Sequence, residues 1–453
     1  MDTTVRALDI RSVIDSERFS PFQGLVVLLC FLVLAVDGYD TAAMGFVAPT
    51  LAHAWQIDRS TLGPVMSAAL IGLGFGAVGA GPLADRLGRK TVMILALAFI
   101  GGWSLVSAFS QSTNELVLFR FLTGLGLGAS LPNGITLASE FVPARRRGIL
   151  LNIVSGGFSA GVILGGVASS WLIPHMGWPS VLITGGVMPI VLALMLLLLL
   201  PESPQFLATR TGRRNRITHI LARIAPHRSF DGYTFVPEHS DGGKHSAVRV
   251  VLSRQYVMRT MMLWAGYFMV CLMYYLLVSW MPTLFKEAGF GVAFGALLTA
   301  LFPLGGAVGA LMGGFLIDYI GAHRTIIFSF LLAGVLAIAA GQCIGLATTL
   351  LGTLIFLCGL MITCVSTSMT TFSAVVYPTE GRATGVSWML AFGRLGAASG
   401  AFVGATLVGM GWHVTGVFAL LAGPAIAGAG AIYLIARGSD VSSASLRGAA
   451  MHH

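Results

Sequence analysis

Charge is what this chain lacks: of its 453 residues only 10% are Asp, Glu, Lys or Arg, 56% are hydrophobic, and the mean hydropathy is +0.84. That deficit excludes a soluble globule of this size, which needs far more polar surface. Cysteine is scarce too. Cys30, Cys271, Cys343, Cys358 and Cys364 all fall inside apolar stretches, with neither metal spacing nor paired loop positions. No disulfide framework, metal centre or cofactor is expected. The 58 glycines follow no short period, which excludes collagen and solenoid readings. They suit membrane helices that approach one another closely. The start of the chain carries Asp2, Arg6, Asp9, Arg11, Asp15, Glu17 and Arg18. It is too long and acidic for a cleaved signal peptide, so the first apolar run is expected to remain in the membrane.

What the chain does have is a series of apolar runs, near 23 to 47, 61 to 83, 91 to 109, 115 to 139, 148 to 172, 179 to 200, 258 to 283, 292 to 317, 325 to 344, 348 to 376, 384 to 408 and 413 to 436. Each can cross a bilayer, for which about 20 residues suffice. The expectation is an all-α polytopic membrane protein with twelve transmembrane helices. The net charge of +9 is a matter of topology and not of nucleic acid, because the N-terminus, the even-numbered loops and the C-terminus hold 23 of the 27 Lys and Arg residues. Odd loops hold only Arg59 and Lys286. By the positive-inside rule both termini are expected in the cytoplasm, with anionic lipid as the partner of the basic loops.

A polar insertion, 201–257, separates two sets of six spans, 23–200 and 258–436; 1–22 forms an N-terminal cytoplasmic segment and 437–453 a cytoplasmic tail. The halves echo one another. Gly81, Asp85 and Gly88 recur as Gly314, Asp318 and Gly321 at an offset of 233, and Pro143 and Arg147 recur as Pro378 and Arg382 at 235. Two landmarks with nearly one offset argue for a duplicated six-helix unit. Such an architecture places a binding site near the bilayer midplane and exposes it alternately to each side.

The stretch Gly81-Pro82-Leu83-Ala84-Asp85-Arg86-Leu87-Gly88-Arg89-Lys90 resembles the signature loop of the major facilitator superfamily, and the resemblance covers all twelve spans. Asp37-Gly38-Tyr39-Asp40, Arg120 with the ladder Gly124, Gly126 and Gly128, and Tyr377-Pro378-Thr379 leading through Arg382 and Gly385 to Arg394 resemble the aromatic acid:proton symporter family. Within it the chain is most similar to the 4-hydroxybenzoate and protocatechuate permeases. The resemblance implies import of small aromatic carboxylates with protons, by a carrier that works as a monomer.

Asp37 and Asp40 lie one helical turn apart and share a face inside the first span. Intramembrane acids are costly and mark function, and two on one face exchange protons as a coupled unit. The other reading is a structural ion pair. Arg120, near the outer end of an antiparallel span, lies at a depth where it can meet Asp40. In the family that the chain resembles, spans one, four, seven and ten line the cavity, so Arg120 is expected to pair with an ionised Asp and to be released when that Asp is protonated. Arg394 belongs to the second half only, since the aligned Phe158 and Ser159 carry no charge. About 15 Å into its span, its planar guanidinium matches a carboxylate bidentately, and it is read as the substrate-carboxylate ligand. Tyr39, Phe75, Tyr267, Tyr274, Trp388 and Phe392 are candidate ring contacts, as is Asn133 for a ring hydroxyl; packing is the alternative for each.

Gly81, Asp85, Gly88 and Arg89, with Glu140, Arg382 and the second-copy Asp318 and His323, are expected to form an inner gate that breaks when the halves rock. Tyr319 and Ala322 replace basic positions of the first copy, so the second gate should be weaker. Rival readings are weaker. Gly157-Phe158-Ser159-Ala160-Gly161 matches the nucleophile pattern of hydrolases, but no histidine lies well inside a span to serve as base. Drug:proton antiport resembles the same glycine face, yet Val162 stands where that signature has proline. Sugar-type permeases resemble Pro201-Glu202-Ser203-Pro204, followed here by Gln205 instead of arginine. A transporter-like chemoreceptor would have only the insertion with which to signal.

Overall fold

The computed structural model describes residues 6–58, 61–210, 213–228, 230, 233–236, 244–377 and 379–450. β1 (Arg6–Asp9) and α1 (Ile10–Ser16) precede six long helices: α2 (Pro21–Trp55), α3 (Leu62–Leu87), α4 (Arg89–Ser107), α5 (Thr113–Phe141), α6 (Arg147–Met176) and α7 (Pro179–Leu199). The connecting segment folds into α8 (Pro204–Ala208), α9 (Arg214–Ile224), β2 (Tyr233–Val236) and α10 (Lys244–Val251). Then come α11 (Val257–Glu287), α12 (Val292–Ile320), α13 (Ala322–Gln342), α14 (Thr348–Val376) and α15 (Thr379–Gly409), followed by α16 (Val414–Leu420) and α17 (Ala422–Ala450), which share the last span. Among the described residues, twelve segments are long and apolar enough to cross a membrane. Pro424 has no N–H for the Leu420 carbonyl, which accounts for the break at Leu421. Arg59 and Pro378, two sequence landmarks, lie outside the described residues.

Glycine sets how closely the helices pack, and it does so twice. Gly72 and Gly76 of α3 lie on the Phe121 and Leu125 carbonyls of α5, where a Cβ would overlap the oxygens. Gly305 and Gly309 of α12 lie in the same way on the Phe356 and Leu360 carbonyls of α14. The glycines are 233 residues apart and the carbonyls 235, matching the sequence offsets. A second contact repeats as well: Gly157 and Gly161 of α6 meet the Phe31 and Ala35 carbonyls of α2, and Gly396 and Gly400 of α15 meet those of Phe268 and Leu272 in α11. The Gly157–Gly161 pattern is therefore a helix contact inside α6, not a strand-to-helix elbow. Gly88 and Gly321 join α3 to α4 and α12 to α13 with φ of 95° and 86° and ψ of 151° and 153°, a conformation essentially confined to glycine.

The described chain forms two compact units, one of Met1–Ala43, Gly72–Val162 and Pro179–Asp241, the other of Met44–Ile71, Ile163–Trp178 and Gly242–His453. This division cuts across the sequence halves, because the far ends of α2, α3 and α6 pack inside the second unit. There Gly45 lies on the Val278 and Ser279 carbonyls, Gly63 on Ala405 and Gly166 on Ala300, and the Lys286 ammonium donates to the Pro49 carbonyl at 2.9 Å.

Polar segments are built into each unit. In the first, β1 pairs in parallel with β2, and Ile10, Val13 and Ile14 of α1 share a core with Ile217, Ile220, Leu221 and Ile224 of α9. Arg11 Nη1 donates to the Ser139 carbonyl at 3.1 Å, and the Ala144 amide donates to Asp15 Oδ1 at 2.7 Å. In the second, Tyr377 donates to Thr260 Oγ1 (3.0 Å), which donates to the Val251 carbonyl (2.9 Å), tying α10 and α11 to the turn before α15. Burial pushes the Tyr377 phenol above its ordinary range, opposed by the Thr260 hydrogen bond. The segment expected as a separate tail continues α17 as helix to Ala450.

Candidate functional site

The first unit holds a charged centre sealed among helices. α2 supplies Asp37 and Asp40, α5 supplies Arg120 and Ser130, and α4 supplies Ser104. Asp40 is 1% exposed and Arg120 0%, and the Arg120 Nη2 group forms an ion pair with Asp40 Oδ2. Ser104 donates to the other Asp40 oxygen at 3.0 Å. The Nε and Nη1 groups of Arg120 have no hydrogen-bond partner among the described residues. Each such buried donor costs about 1–3 kcal/mol, so the arginine is held under-satisfied and ready for a further acceptor.

Asp37 sits one turn away, 2% exposed, with both carboxyl oxygens 2.7 Å from Ser130 Oγ. An ionised Asp37 accepts from that hydroxyl; a protonated Asp37 donates to it. The hydroxyl can also turn to the Leu127 carbonyl, 3.0 Å away. Such a partner suits a group that changes protonation inside a low-dielectric bundle. α2 extends beyond the end expected near residue 47, to Trp55, yet Asp40 and Arg120 still meet across the antiparallel α2 and α5.

Arg394 belongs to the second unit, half-buried on α15, and has no ion-pair partner among the described residues. Gly393 brings α15 against Tyr267 and Cys271 of α11, and Arg394 acts electrostatically on both. The Tyr267 hydroxyl lies 3.4 Å from Ser366 Oγ of α14. Arg394 of α15 thus lies within electrostatic reach of the Tyr267–Ser366 hydroxyl pair of α11 and α14. Phe392 and Trp388 do not join them. Residues 392 and 394 are about 200° apart around a helix, and Phe392 instead stacks on Trp264 at 4.0 Å, with Trp388 5.9 Å from the same indole. These two rings are thus engaged with Trp264 of α11, on a different side of α15 from Arg394.

Other expected ring contacts are committed to packing. Tyr39 is 2% exposed, donates to the Val181 carbonyl at 3.0 Å and lies over Gly185. Tyr274 packs edge-on to Tyr275 and against Phe302, each at 5.3 Å, and the exposed Phe75 meets Phe121 edge-to-face. Asn133 spends its amide N–H on the Ala129 carbonyl at 2.7 Å. Its Oδ1 is the atom left to accept from a ligand hydroxyl.

At the ends of α4 and α5 the expected gate residues meet partners that the sequence did not reveal. Arg89 pairs with Glu140, and Ser203, just before α8, donates to Glu140. Glu202 accepts from the Lys90 and Ser203 amides at 3.0 and 2.9 Å. Its carboxylate fills the place where a Cβ on Gly88 would stand. Asp85 is exposed beside this network and acts on Arg89 electrostatically. Gly81 makes no close approach. In the second unit Asp318 and Arg382 are exposed, and the His323 ring lies edge-on to Phe372 at 4.4 Å. Ser104, Ser130 and Ser366 carried no signal, since a serine in an apolar run has no distinguishing pattern, and Ser203 stood out only as part of the Pro201–Pro204 stretch.

A duplicated twelve-span bundle with a buried acid–base pair and an unneutralised intramembrane arginine defines a secondary membrane carrier. The Major Facilitator Superfamily profile matches residues 30–340 and 263–447. The chain is 46% identical over 431 residues to the 4-hydroxybenzoate transporter PcaK of Pseudomonas aeruginosa, covering 95% of this chain and 96% of that protein. It is 40% identical over 425 residues to a gallate transporter of Pseudomonas putida, covering 94% of each. Among solved structures, the inward open conformation of the xylose transporter XylE from E. coli superposes with a TM-score of 0.70 at 16% identity, covering 91% of this chain and 95% of that one. That likeness concerns the fold alone. The chain belongs to the major facilitator superfamily, in its aromatic acid:proton symporter family.

Proposed function

We propose that the protein imports a small aromatic carboxylate, 4-hydroxybenzoate or a related hydroxylated benzoate, together with protons across a bacterial inner membrane, with both termini in the cytoplasm. The observation that carries this reading is the buried Asp40–Arg120 pair, whose arginine keeps two unpaired donors. Similarity to the 4-hydroxybenzoate and gallate transporters supports the substrate class. Protonation of Asp40 cancels its charge and frees Arg120, which turns its fork to another acceptor. Asp37 and Ser130 pass or hold the proton next to that pair. Arg394 takes the substrate carboxylate, with the Tyr267 hydroxyl beside it.

On the cytoplasmic side the Arg89–Glu140–Ser203 network acts as the gate, with Asp85 as its exposed member. On the other side the Lys286–Pro49 hydrogen bond is the contact that breaks when the carrier opens outward. One proton per monoanion makes the step electroneutral, driven by the pH gradient alone; a second adds about 2.3 kcal/mol per 100 mV. The test is uptake of labelled 4-hydroxybenzoate into proteoliposomes with and without an inward pH gradient. Accumulation is expected only with the gradient; Asp40→Asn should abolish it, and Arg394→Lys should lower it at substrate concentrations below the unsubstituted protein's KM. Gradient-independent accumulation, or full activity in both variants, would remove the mechanism.

A further inference from the structure

A cleft of about 970 Å³ opens in the first unit where the α3–α4 turn, the end of α7 and helix α9 meet. Six of its lining residues are Arg86, Lys90, Arg210, Arg213, Arg216 and Arg223, against a single carboxylate, Glu202. Glu202 already accepts two backbone amides. The ordered cations are fixed by groups that leave their charge in place. Lys90 Nζ donates to the Leu197 carbonyl at 2.9 Å, Arg210 Nη2 donates to the Arg86 carbonyl at 2.8 Å, and the Arg223 guanidinium lies 4.0 Å over the Phe22 ring. Arg86, Arg213 and Arg216 have no ion-pair partner among the described residues. The transport mechanism uses none of these six cations.

What adjoins the cleft identifies the ligand. Below it α7 exposes Leu194, Leu197 and Leu198, the last 81% exposed and itself part of the lining. α9 packs Ile217, Ile220, Leu221 and Ile224 into the core it shares with α1, which leaves Arg213, Arg214 and Arg216 exposed on its basic side. Leu199 ends α7 and Arg89 begins α4, so the cations sit where the hydrocarbon stops. A soluble phosphate would use the arginines and leave the leucines idle; a phospholipid uses both.

We propose that this cleft binds the headgroup of an anionic phospholipid of the cytoplasmic leaflet, with its acyl chains along the leucines of α7. The proposal rests on the orientation given above and on nothing about the transported substrate. Delipidated full-length protein in detergent would be titrated with phosphatidylglycerol, with phosphatidylcholine of the same chains, and with glycerol 3-phosphate, and followed by native mass spectrometry. One saturable phosphatidylglycerol is expected, with at least tenfold weaker binding of phosphatidylcholine. Arg213→Gln/Arg216→Gln should weaken phosphatidylglycerol at least tenfold, whereas Arg324→Gln, which removes a charge in the other unit, should leave it unchanged. Leu198→Glu should also weaken it, without touching a cation. Equal binding of the two lipids, indifference to the double substitution, or displacement by glycerol 3-phosphate at the lipid's own concentration would overturn the proposal. Failure of 4-hydroxybenzoate uptake in proteoliposomes would leave these binding results standing.

Discussion

The two halves share one set of backbone contacts and carry different chemistry on it. By the α2–α6 and α11–α15 glycine contacts, Asp37 and Asp40 correspond to Tyr274 and Leu277. By the α3–α5 and α12–α14 contacts, Arg120 corresponds to Ile355 and Ser130 to Val365. Asp37, Asp40, Arg120 and Ser130 of the first centre thus have aromatic or aliphatic counterparts. In the other direction Arg394 corresponds to Ser155, one turn from the Phe158–Ser159 register that the sequence offset implied. Duplication fixes where helices touch, because a glycine over a carbonyl tolerates nothing larger. Side chains beside those contacts diverge freely, so the buried Asp40–Arg120 pair belongs to one half and Arg394 to the other.

Asp40→Asn should have the largest effect, since it leaves Arg120 buried without a counter-charge. The loss is about 3–5 kcal/mol, read as a lowered melting temperature, and gradient-driven uptake should vanish. Adding Arg120→Gln should restore most of the stability but none of the transport; a double variant that still concentrates substrate would break the assignment of proton coupling to the first half. Arg394→Lys should leave the melting temperature unchanged, because no ion pair is broken. It should raise the KM for 4-hydroxybenzoate by about tenfold to a hundredfold, the equivalent of about 1.5–3 kcal/mol in charge-assisted hydrogen bonds. Unaltered KM would remove the second half from anion binding.

Gly161→Val and Gly400→Val sharpen the comparison from the side of the shared scaffold. Each forces a branched side chain onto a carbonyl of the neighbouring helix, and each should cost about 1–3 kcal/mol by the overpacking rule. Similar drops in melting temperature are expected, and tolerance of one alone would show that the repeat is not mechanically symmetric. Ser130→Ala should be the mildest, at about 1 kcal/mol for one hydrogen bond. It should slow uptake several-fold and change its pH profile, whereas Val365→Ala at the corresponding position should leave that profile unmoved.

The spans were legible because about 20 apolar residues in a row have one stable use. α7, α12 and α14 begin where the composition places them. Asp37, Asp40, Arg120 and Arg394 were legible for the converse reason: a charge within such a run is conspicuous. Their partners were not. Ser104, Ser130 and Ser203 reach their carboxylates across gaps of 64, 93 and 63 residues, and no local pattern announces a contact of that range. The packing of the aromatic residues was hidden for a related reason, as Trp388 and Phe392 meet Trp264 across a gap of more than a hundred residues.

The sequence by itself determined that this chain is a twelve-span, twice-repeated bundle: lipid admits only long apolar runs, and the loop landmarks recur at nearly one offset. Only the tertiary structure decided which acid meets Arg120, which hydroxyl pair lies within reach of Arg394, and that the far ends of α2, α3 and α6 pack within the second unit. Those outcomes depend on helix rotation and close packing, and packing is settled by contacts between residues distant in sequence.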